Sequence, residues 1–122
     1  MAEQGNPPQQ IQAYGSGAFR VSGARFEGSV LIHADRTTAW SAGSVDDISA
    51  AAIAELIAEA APGALVIIGC GRQFLPMPPG LRRELAAAGV HAEWMDTGAA
   101  CRTFNLLVSE GREVRAALLA VE

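Results

Sequence analysis

The four residues from Leu65 to Ile68 are all apolar, and three of them are β-branched. A strand with one face in water alternates apolar and polar side chains, so an unbroken apolar run of this length indicates a strand covered on both faces. Pro62 and Gly63 precede the run and Gly69 follows it, which favours a turn on either side. The run therefore requires a sheet with a packed layer above it and another below it.

Helix and strand patterns alternate around this central strand, beginning at Ser44. Asp46 lies where a carboxylate stabilises the positive end of a helix, and either Ser44 or Asp46 can cap that helix. Pro62-Gly63 predicts where the helix ends. An apolar stripe at helical spacing supports the assignment and consists of Ile48, Ala52, Ile53, Leu56, Ile57 and Ala60.

Two more helices and two more strands follow the central strand. Pro79 suits the first turn of a helix and Gly89 suits its end. The buried side of this second helix is predicted to contain Leu81, Leu85 and Ala88. The remaining elements are expected to be a strand at Val90–Met95, a third helix capped by Thr97 and running from about Gly98 to Glu110, and a last strand from Val114 to Val121.

The part of the chain before Ser44 carries shorter patterns. Between Ile11 and Trp40, short β-prone runs are separated by glycine and aspartate turns, which predicts antiparallel strands. Met1–Gln10 is polar with two prolines and is predicted to be a frayed arm. Residues 11–122 are thus expected to form one α/β domain: three layers with a central mixed sheet, helices on both faces and an additional N-terminal antiparallel β-meander.

Length, charge and cysteine content exclude several classes of protein. The 122 residues fit one compact domain, and a formal net charge of −4 argues against a nucleic-acid partner, which requires a basic face. No apolar run approaches the ~20 residues that span a bilayer, so no transmembrane segment is expected. The opening residues lack an export or import pattern and the chain has two cysteines, so we expect a reduced, cytoplasmic protein.

The segment Gly69-Cys70-Gly71-Arg72 follows the central strand, at the edge where open α/β sheets bind ligands. Its glycines can let the backbone approach an anion, and Arg72 supplies a positive charge. A dinucleotide-binding loop, however, needs a third glycine where Phe74 stands, and the next helix begins late. The alternative, which we favour, is that the glycines relieve crowding in a tight turn.

A second candidate site, at the start of the third helix, comprises Thr97, Cys101 and Arg102. Small residues there leave amide donors available, and Arg102 beside Cys101 favours a lowered pKa and a reactive thiolate. A catalytic thiol also needs a base, and neither His33 nor His91 is placed beside Cys101 by its position in the sequence. We therefore favour a buried, inert cysteine. No ligand spacing for a metal is recognisable, and no cofactor is expected.

The loop after the central strand is unusually apolar, with Phe74, Leu75 and Met77 among prolines. Loops run over the surface of a protein. These three side chains therefore either fold back over a pocket, as a lid packed on its own protein, or form a surface that binds a protein partner. The residue pattern leaves both alternatives open.

A resemblance to a known family is carried by the segment Met95–Asn105 (Met-Asp-Thr-Gly-Ala-Ala-Cys-Arg-Thr-Phe-Asn) and by Glu110-Gly111-Arg112, Ile11–Gly15, Gly28–Ile32, Leu65–Gly71 and Leu75–Leu81. The chain resembles the small domain found in mitochondrial respiratory complex I (NADH dehydrogenase) assembly factor 3 and the adipogenesis-associated domain-containing protein, which also occurs in uncharacterised bacterial and archaeal proteins. The resemblance covers about residues 11–121. It implies a three-layer α/β fold, no established reaction, and action through protein contacts in the mitochondrial relative.

These observations lead to two hypotheses about function. The first is a non-catalytic interaction or assembly protein, linked by resemblance to assembly of respiratory NADH dehydrogenase, whose protein partner and oligomeric state the sequence leaves open. The second is a small-molecule or anion-binding protein, or an enzyme, with a pocket between Gly69–Arg72 and Thr97–Arg102. The scarcity of proton-transferring side chains favours the first.

Overall fold

The computed structural model describes residues 9–59 and 64–122, so most of the predicted arm at Met1–Gln10 lies outside the described residues. The helices are α1 (Ala54–Glu59), α2 (Pro79–Ala87) and α3 (Thr97–Ser109). The strands are β1 (Ile11–Gly15), β2 (Ala18–Val21), β3 (Ala24–Glu27), β4 (Ser29–Ile32), β5 (Thr37–Trp40), β6 (Leu65–Gly69), β7 (His91–Met95) and β8 (Val114–Leu118). Two single 3-10 turns, Val45–Asp47 and Ala51–Ile53, precede α1.

The central sheet has five strands in the order β5-β4-β8-β6-β7. β6 is parallel to both β7 and β8, whereas β4 is antiparallel to β5 and β8, so the sheet is mixed. β6 is buried from Val66 to Gly69, because strands flank it on both sides and packed layers cover both faces. The prediction from the apolar run is confirmed.

A separate hydrophobic cluster fills each face of the central sheet. On one face, α3 and the N-terminal strands pack around Phe19, Ile67 and Phe104. On the other face, α1 and α2 pack around Leu56 and Ile68. Burial of these apolar side chains removes a large area from water on each side of the sheet. The expected three-layer α/β fold with helices on both faces is therefore confirmed.

The additional N-terminal sheet consists of β1, β2 and β3, all antiparallel. A two-residue turn joins β2 to β3, in which Ser22 and Gly23 have φ angles of 49° and 88°. Positive φ at both positions matches the twist of the flanking strands in a tight hairpin. β4 and β5, which follow in the sequence, complete the central sheet instead. The β-meander is confirmed, and the region before Ser44 contributes to two layers.

The predicted continuous helix from Ser44 is wrong in its first half. The Asp47 carboxylate accepts hydrogen bonds from the backbone N–H groups of Gly43 (2.8 Å) and Ser44 (3.2 Å), which closes a single turn at Ser44. Ile48 then returns to extended backbone (φ −90°, ψ 120°) with its side chain in the core. Short polar side chains that bond to nearby backbone compete in this way with helix propagation. Ala60 and Pro62-Gly63 lie outside the described residues.

Three smaller expectations also change. Asp96, not Thr97, caps α3, because its carboxylate accepts a hydrogen bond from the Ala99 N–H at 2.8 Å. Ala88 is exposed beyond the end of α2 and is not on its buried side. The last strand ends at Leu118 and not at Val121. The predicted ends of α2 are confirmed, with Pro79 in the first turn and Gly89 at a φ of +73°.

Candidate functional site

Thr97 brings the two predicted pocket segments together. Its hydroxyl accepts a hydrogen bond from the Gly71 N–H (3.0 Å) and donates one to the Leu119 carbonyl (2.8 Å). Its own N–H donates to the Gly71 carbonyl at 2.8 Å. The turn after β6 and the start of α3 are therefore joined directly, and the N–H groups of Gly71 and Thr97 are engaged within the protein.

Gly69 is the position where this junction is most crowded. A Cβ atom at residue 69 would lie 3.0 Å from the Thr97 Cα, 3.0 Å from the Thr97 Oγ1 and 3.0 Å from the Leu118 Cδ2. These distances are shorter than ordinary van der Waals contacts, and one of them involves backbone that cannot easily move. Gly69 thus allows the start of α3 to approach the end of β6, as the tight-turn alternative requires.

Cys70 organises the loop that follows β6. Its side chain is buried, and the thiol lies 3.5 Å from the Gln73 carbonyl as a donor and 3.4 Å from the Leu75 N–H as an acceptor. Sulfur hydrogen bonds are weak individually, but two of them fix the loop on both sides of Phe74. The structure therefore gives Cys70 a structural role.

Cys101 belongs to the core between α3 and the central sheet. Burial raises the pKa of the Cys101 thiol from 9.0 to about 12, while the charge of Arg102 lowers it and that of Asp96 raises it. The thiol is therefore protonated at neutral pH, and the reactive thiolate has no support in this geometry. Participation of Cys101 in a ligand pocket stays a prediction.

The two arginines of the predicted pocket, Arg72 and Arg102, are both exposed. A Cβ atom on Gly98 would lie 2.8 Å from the Tyr14 hydroxyl and 3.5 Å from the Arg102 Nη1, so these two polar groups converge over the start of α3. Tyr14 was not expected at this position, because it lies on β1, far away in the sequence. Only the stacking of the N-terminal sheet against α3 brings it there.

The apolar loop combines exposure with a fixed backbone. Phe74 and Leu75 are 60% and 47% exposed, whereas Met77 packs against the core on the α2 face. The Trp94 indole N–H donates a hydrogen bond of 2.6 Å to the Leu75 carbonyl, in addition to the contacts of Cys70. Met77 thus folds back onto the protein, whereas Phe74 and Leu75 are exposed to solvent, and binding of a partner by these two residues stays a prediction.

Two polar side chains, Arg115 and His33, were not predicted to lie in the core. Arg115 lies in the central strand β8, is buried, and donates to the Glu113 carboxylate at 2.9 Å. His33 is also fully buried, with its Nε2 3.5 Å from the Glu55 carboxylate. An arginine in the otherwise apolar segment Val114–Leu118 was the available signal. Within residues 9–59 and 64–122, no three His, Cys, Asp or Glu side chains are arranged to hold a metal ion.

The sequence of this chain is similar to those of several known proteins. The sequence profile of a family described as "Protein of unknown function (DUF498/DUF598)" matches residues 11–119. An uncharacterised protein of Rhodobacter capsulatus is 44% identical over 109 residues, which cover 89% of this chain and 82% of that protein. The NADH dehydrogenase (ubiquinone) 1 alpha subcomplex assembly factor 3 of Bos taurus is 31% identical over 109 residues, covering 89% of this chain and 59% of that protein. The chain thus spans less than two thirds of the assembly factor's length.

Solved structures share the fold over nearly the whole chain. A protein from Bordetella parapertussis superposes with a TM-score of 0.84 at 34% sequence identity, covering 96% of this chain and 99% of that chain. An outer membrane protein from Bartonella henselae gives a TM-score of 0.83 at 33% identity, covering 97% and 98%. In the part of this chain that the structure describes, every helix is too short or too polar to cross a membrane.

Proposed function

This chain belongs to the DUF498/DUF598 family of proteins of unknown function, and we propose that it is a non-catalytic interaction or assembly factor that acts by binding another protein. The observation that carries the proposal is the exposed pair Phe74 and Leu75 on a loop with fixed backbone. Apolar side chains of this size are usually buried. Two adjacent ones held out of the core favour a binding surface.

The hydrogen bonds of this loop favour binding because they reduce its entropic cost. Cys70 holds the backbone at Gln73 and Leu75, and Trp94 holds the Leu75 carbonyl. A partner would therefore meet a loop that is already ordered, and preorganisation of this kind increases affinity. Phe74 is suited to the anchoring role that large aromatic side chains play in the centres of interfaces.

We further propose that the partner takes part in assembly of the respiratory NADH dehydrogenase. Support comes from relatives named as assembly factors of that enzyme, which match this chain over 89% of its length. In a deletion strain, we expect the amount of assembled NADH dehydrogenase to fall, and to recover with the wild-type chain but not with Phe74→Ser. An unchanged amount in the deletion strain would contradict this link while leaving the binding role intact.

Co-purification from the native host tests the binding role. The tagged wild-type chain is expected to enrich one protein reproducibly, and Phe74→Ser or Leu75→Ser is expected to lose it. Leu106→Ser is the matched control, because Leu106 is 58% exposed on α3. Met77 is a poor probe because its side chain belongs to the core. The proposal fails if the wild type enriches no protein, or if Leu106→Ser has the same effect as Phe74→Ser.

A small-molecule or anion-binding role is the second candidate. It is favoured by the convergence of the Tyr14 hydroxyl and the exposed Arg102 guanidinium over the start of α3. Ligand binding raises the melting temperature by mass action, so thermal-shift measurements with phosphorylated and carboxylated metabolites test this role. Arg102→Ala should abolish any shift. Melting temperatures that no compound changes would remove this candidate.

We propose that the protein acts in the cytoplasm. Both cysteines are buried free thiols, which fits a reducing compartment. The Bartonella henselae relative is named an outer membrane protein, so cell fractionation is the decisive measurement. Recovery of the chain in a washed outer-membrane fraction would overturn the cytoplasmic assignment.

A further inference from the structure

β7 has one long side along which no strand pairs with it in the described ranges. The Met95 carbonyl accepts a hydrogen bond from the Cys70 N–H at 2.8 Å, so the backbone groups of Met95 point toward β6. Successive residues of a strand direct these groups to opposite sides. Ala92 and Trp94 therefore direct their N–H and C=O groups away from the sheet. We call this side the β7 edge.

A groove runs beside the β7 edge on the α2 face of the sheet. It has a volume of about 190 Å³, and its lining includes the apolar side chains of Met77, Leu85, Val90 and Ala92. Arg82, which is exposed on α2, also lines it. The groove is large enough for one branched apolar side chain beside a positive charge.

The two sides of the sheet at β7 offer opposite charges, from Arg82 of α2 on one face and from Glu93 of β7 on the other. Ala92 and Trp94 pack against the cluster on the α2 face, and Met95 packs against the cluster on the α3 face. Because side chains alternate along a strand, the exposed Glu93 points to the α3 face. A strand laid along the β7 edge would thus meet the positive charge of Arg82 on one face and the negative charge of Glu93 on the other.

A second copy of the chain fits this charge pattern poorly. Antiparallel pairing of β7 over its whole length with β7 of another copy places Glu93 opposite the same residue of the copy. Like charges in directly opposed positions destabilise strand pairing. A different chain with a basic residue at that position has no such penalty.

We propose that an extended segment of a partner protein adds as a strand to the β7 edge. On the α2 face, this partner segment carries an apolar side chain that fills the groove and an acidic side chain that pairs with Arg82. On the α3 face, it carries a basic side chain opposite Glu93. Strand addition of this type takes affinity from backbone hydrogen bonds and specificity from alternate side chains. The inference rests on the proposed binding function, and the Trp94 hydrogen bond to Leu75 joins the β7 edge to the apolar loop.

Hydrogen exchange and two substitutions at one residue test the edge. In the free protein the amides of Ala92 and Trp94 should exchange quickly, and those of Glu93 and Met95 slowly. Binding of the co-purified partner should slow exchange at Ala92 and Trp94. Ala92→Pro removes an outward N–H that β6 does not use, which edge strands tolerate, and should weaken binding about tenfold. Ala92→Ser keeps the N–H and should therefore weaken binding less than Ala92→Pro does.

A capped peptide, Thr-Val-Lys-Val-Thr-Asp, tests specificity without a natural partner. The wild type should bind it about two- to fivefold more tightly than the version with glutamate in place of lysine, and Glu93→Lys should reverse that preference. Because Glu93→Lys changes an exposed side chain, this measurement stands even if Ala92→Pro fails to fold. If both proteins bind both peptides equally, the proposed preference for a basic side chain opposite Glu93 is wrong. If the wild type binds neither peptide, the edge proposal is wrong.

The outcomes separate this inference from the binding function itself. If the wild type captures a partner that Phe74→Ser loses but Ala92→Pro retains, the edge proposal is wrong and the binding function stands. If the wild type captures nothing, the binding function is wrong and the peptide measurement alone decides the edge. A dimer in sedimentation, with slow exchange at Ala92 and Trp94, would show that a second copy occupies the edge and would overturn the proposal.

Discussion

The side-chain amide of Asn105 forms two hydrogen bonds with the backbone of Ile11. Its Oδ1 accepts from the Ile11 N–H at 2.9 Å, and its Nδ2 donates to the Ile11 carbonyl at 2.7 Å. The two residues lie 94 positions apart in the sequence. Asn105 on α3 thus pairs with β1 as a neighbouring strand would, and it holds the N-terminal sheet against the helix.

Replacement of Asn105 by alanine should destabilise the protein by about 1–3 kcal/mol, because both backbone groups of Ile11 lose their partner in a partly buried position. Exchange of the Ile11 amide should also accelerate. Ser109→Ala is the control, since the Ser109 hydroxyl donates to the Leu106 carbonyl within the same helix. Urea unfolding and hydrogen exchange measure the two effects. Equal losses for both variants would contradict the role given to Asn105.

Gly69→Ala and Gly80→Ala should change stability in opposite directions. At residue 69 the new methyl group meets Thr97 and Leu118 at 3.0 Å, so we expect a loss of about 1–3 kcal/mol. At residue 80, in the first turn of α2, the nearest atom is the Arg83 Nη2 at 4.0 Å. There the higher helix propensity of alanine should add up to about 1 kcal/mol. The free energy of unfolding in urea measures both, and a neutral Gly69→Ala would disprove the close approach.

The burial of Cys101 makes stability depend on pH in the alkaline range. The folded thiol has a pKa of about 12 and the unfolded thiol about 9.0, so in this interval the unfolded chain is ionised and the folded chain is not. The stabilisation is complete below pH 9.0 and falls by up to about 1.4 kcal/mol per pH unit above it. Cys101→Ala lacks this decline. The difference in unfolding free energy between wild type and variant should therefore shrink as pH rises, and a constant difference would be evidence against the raised pKa.

Trp94→Phe should loosen the apolar loop without unfolding the protein. The phenyl ring retains much of the packing of the indole, but the hydrogen bond to the Leu75 carbonyl is lost, at a cost of about 1 kcal/mol. Amides from Gln73 to Leu75 should exchange faster. Trp40→Phe is the matched control, because Trp40 lies in the same cluster and should lower global stability without a selective effect on the loop. A loop that exchanges equally in both variants would contradict the role of Trp94.

Local patterns in the sequence were sufficient for the elements whose stability is local. The apolar run from Leu65 predicted the central strand, and Pro79 and Gly89 predicted the ends of α2, because each depends on residues close in the sequence. The first helix failed because the Asp47 carboxylate bonds to Gly43 and Ser44, a competition that periodicity does not record. The cap of α3 shifted by one residue, since Asp96 and Thr97 are both capping residue types.

Features of the candidate site that depend on distant contacts could not be predicted. The approach of the Tyr14 hydroxyl to Gly98 and the hydrogen bonds of Asn105 with Ile11 arise only when the N-terminal sheet stacks on α3. The hydroxyl of Thr97 forms hydrogen bonds with two other segments of the chain, at Gly71 and at Leu119. For Cys101, residue type and position indicated either a reactive thiolate or a buried thiol, and the packing around it distinguishes the two.

The position of β8 in the sheet has a consequence for biosynthesis. β8 lies between β4 and β6, although it comes after all seven of the other described strands in the sequence. Without β8, the chain can form the hairpin of β4 with β5 and the pair of β6 with β7, but no strand of the central sheet joins these two pairs. The adjoining edges of β4 and β6 stay open to incorrect pairing until Val114–Leu118 emerges and is inserted between them. Completion of the central sheet therefore waits for β8, and a chaperone that shields the open edges of β4 and β6 is well placed to prevent incorrect pairing.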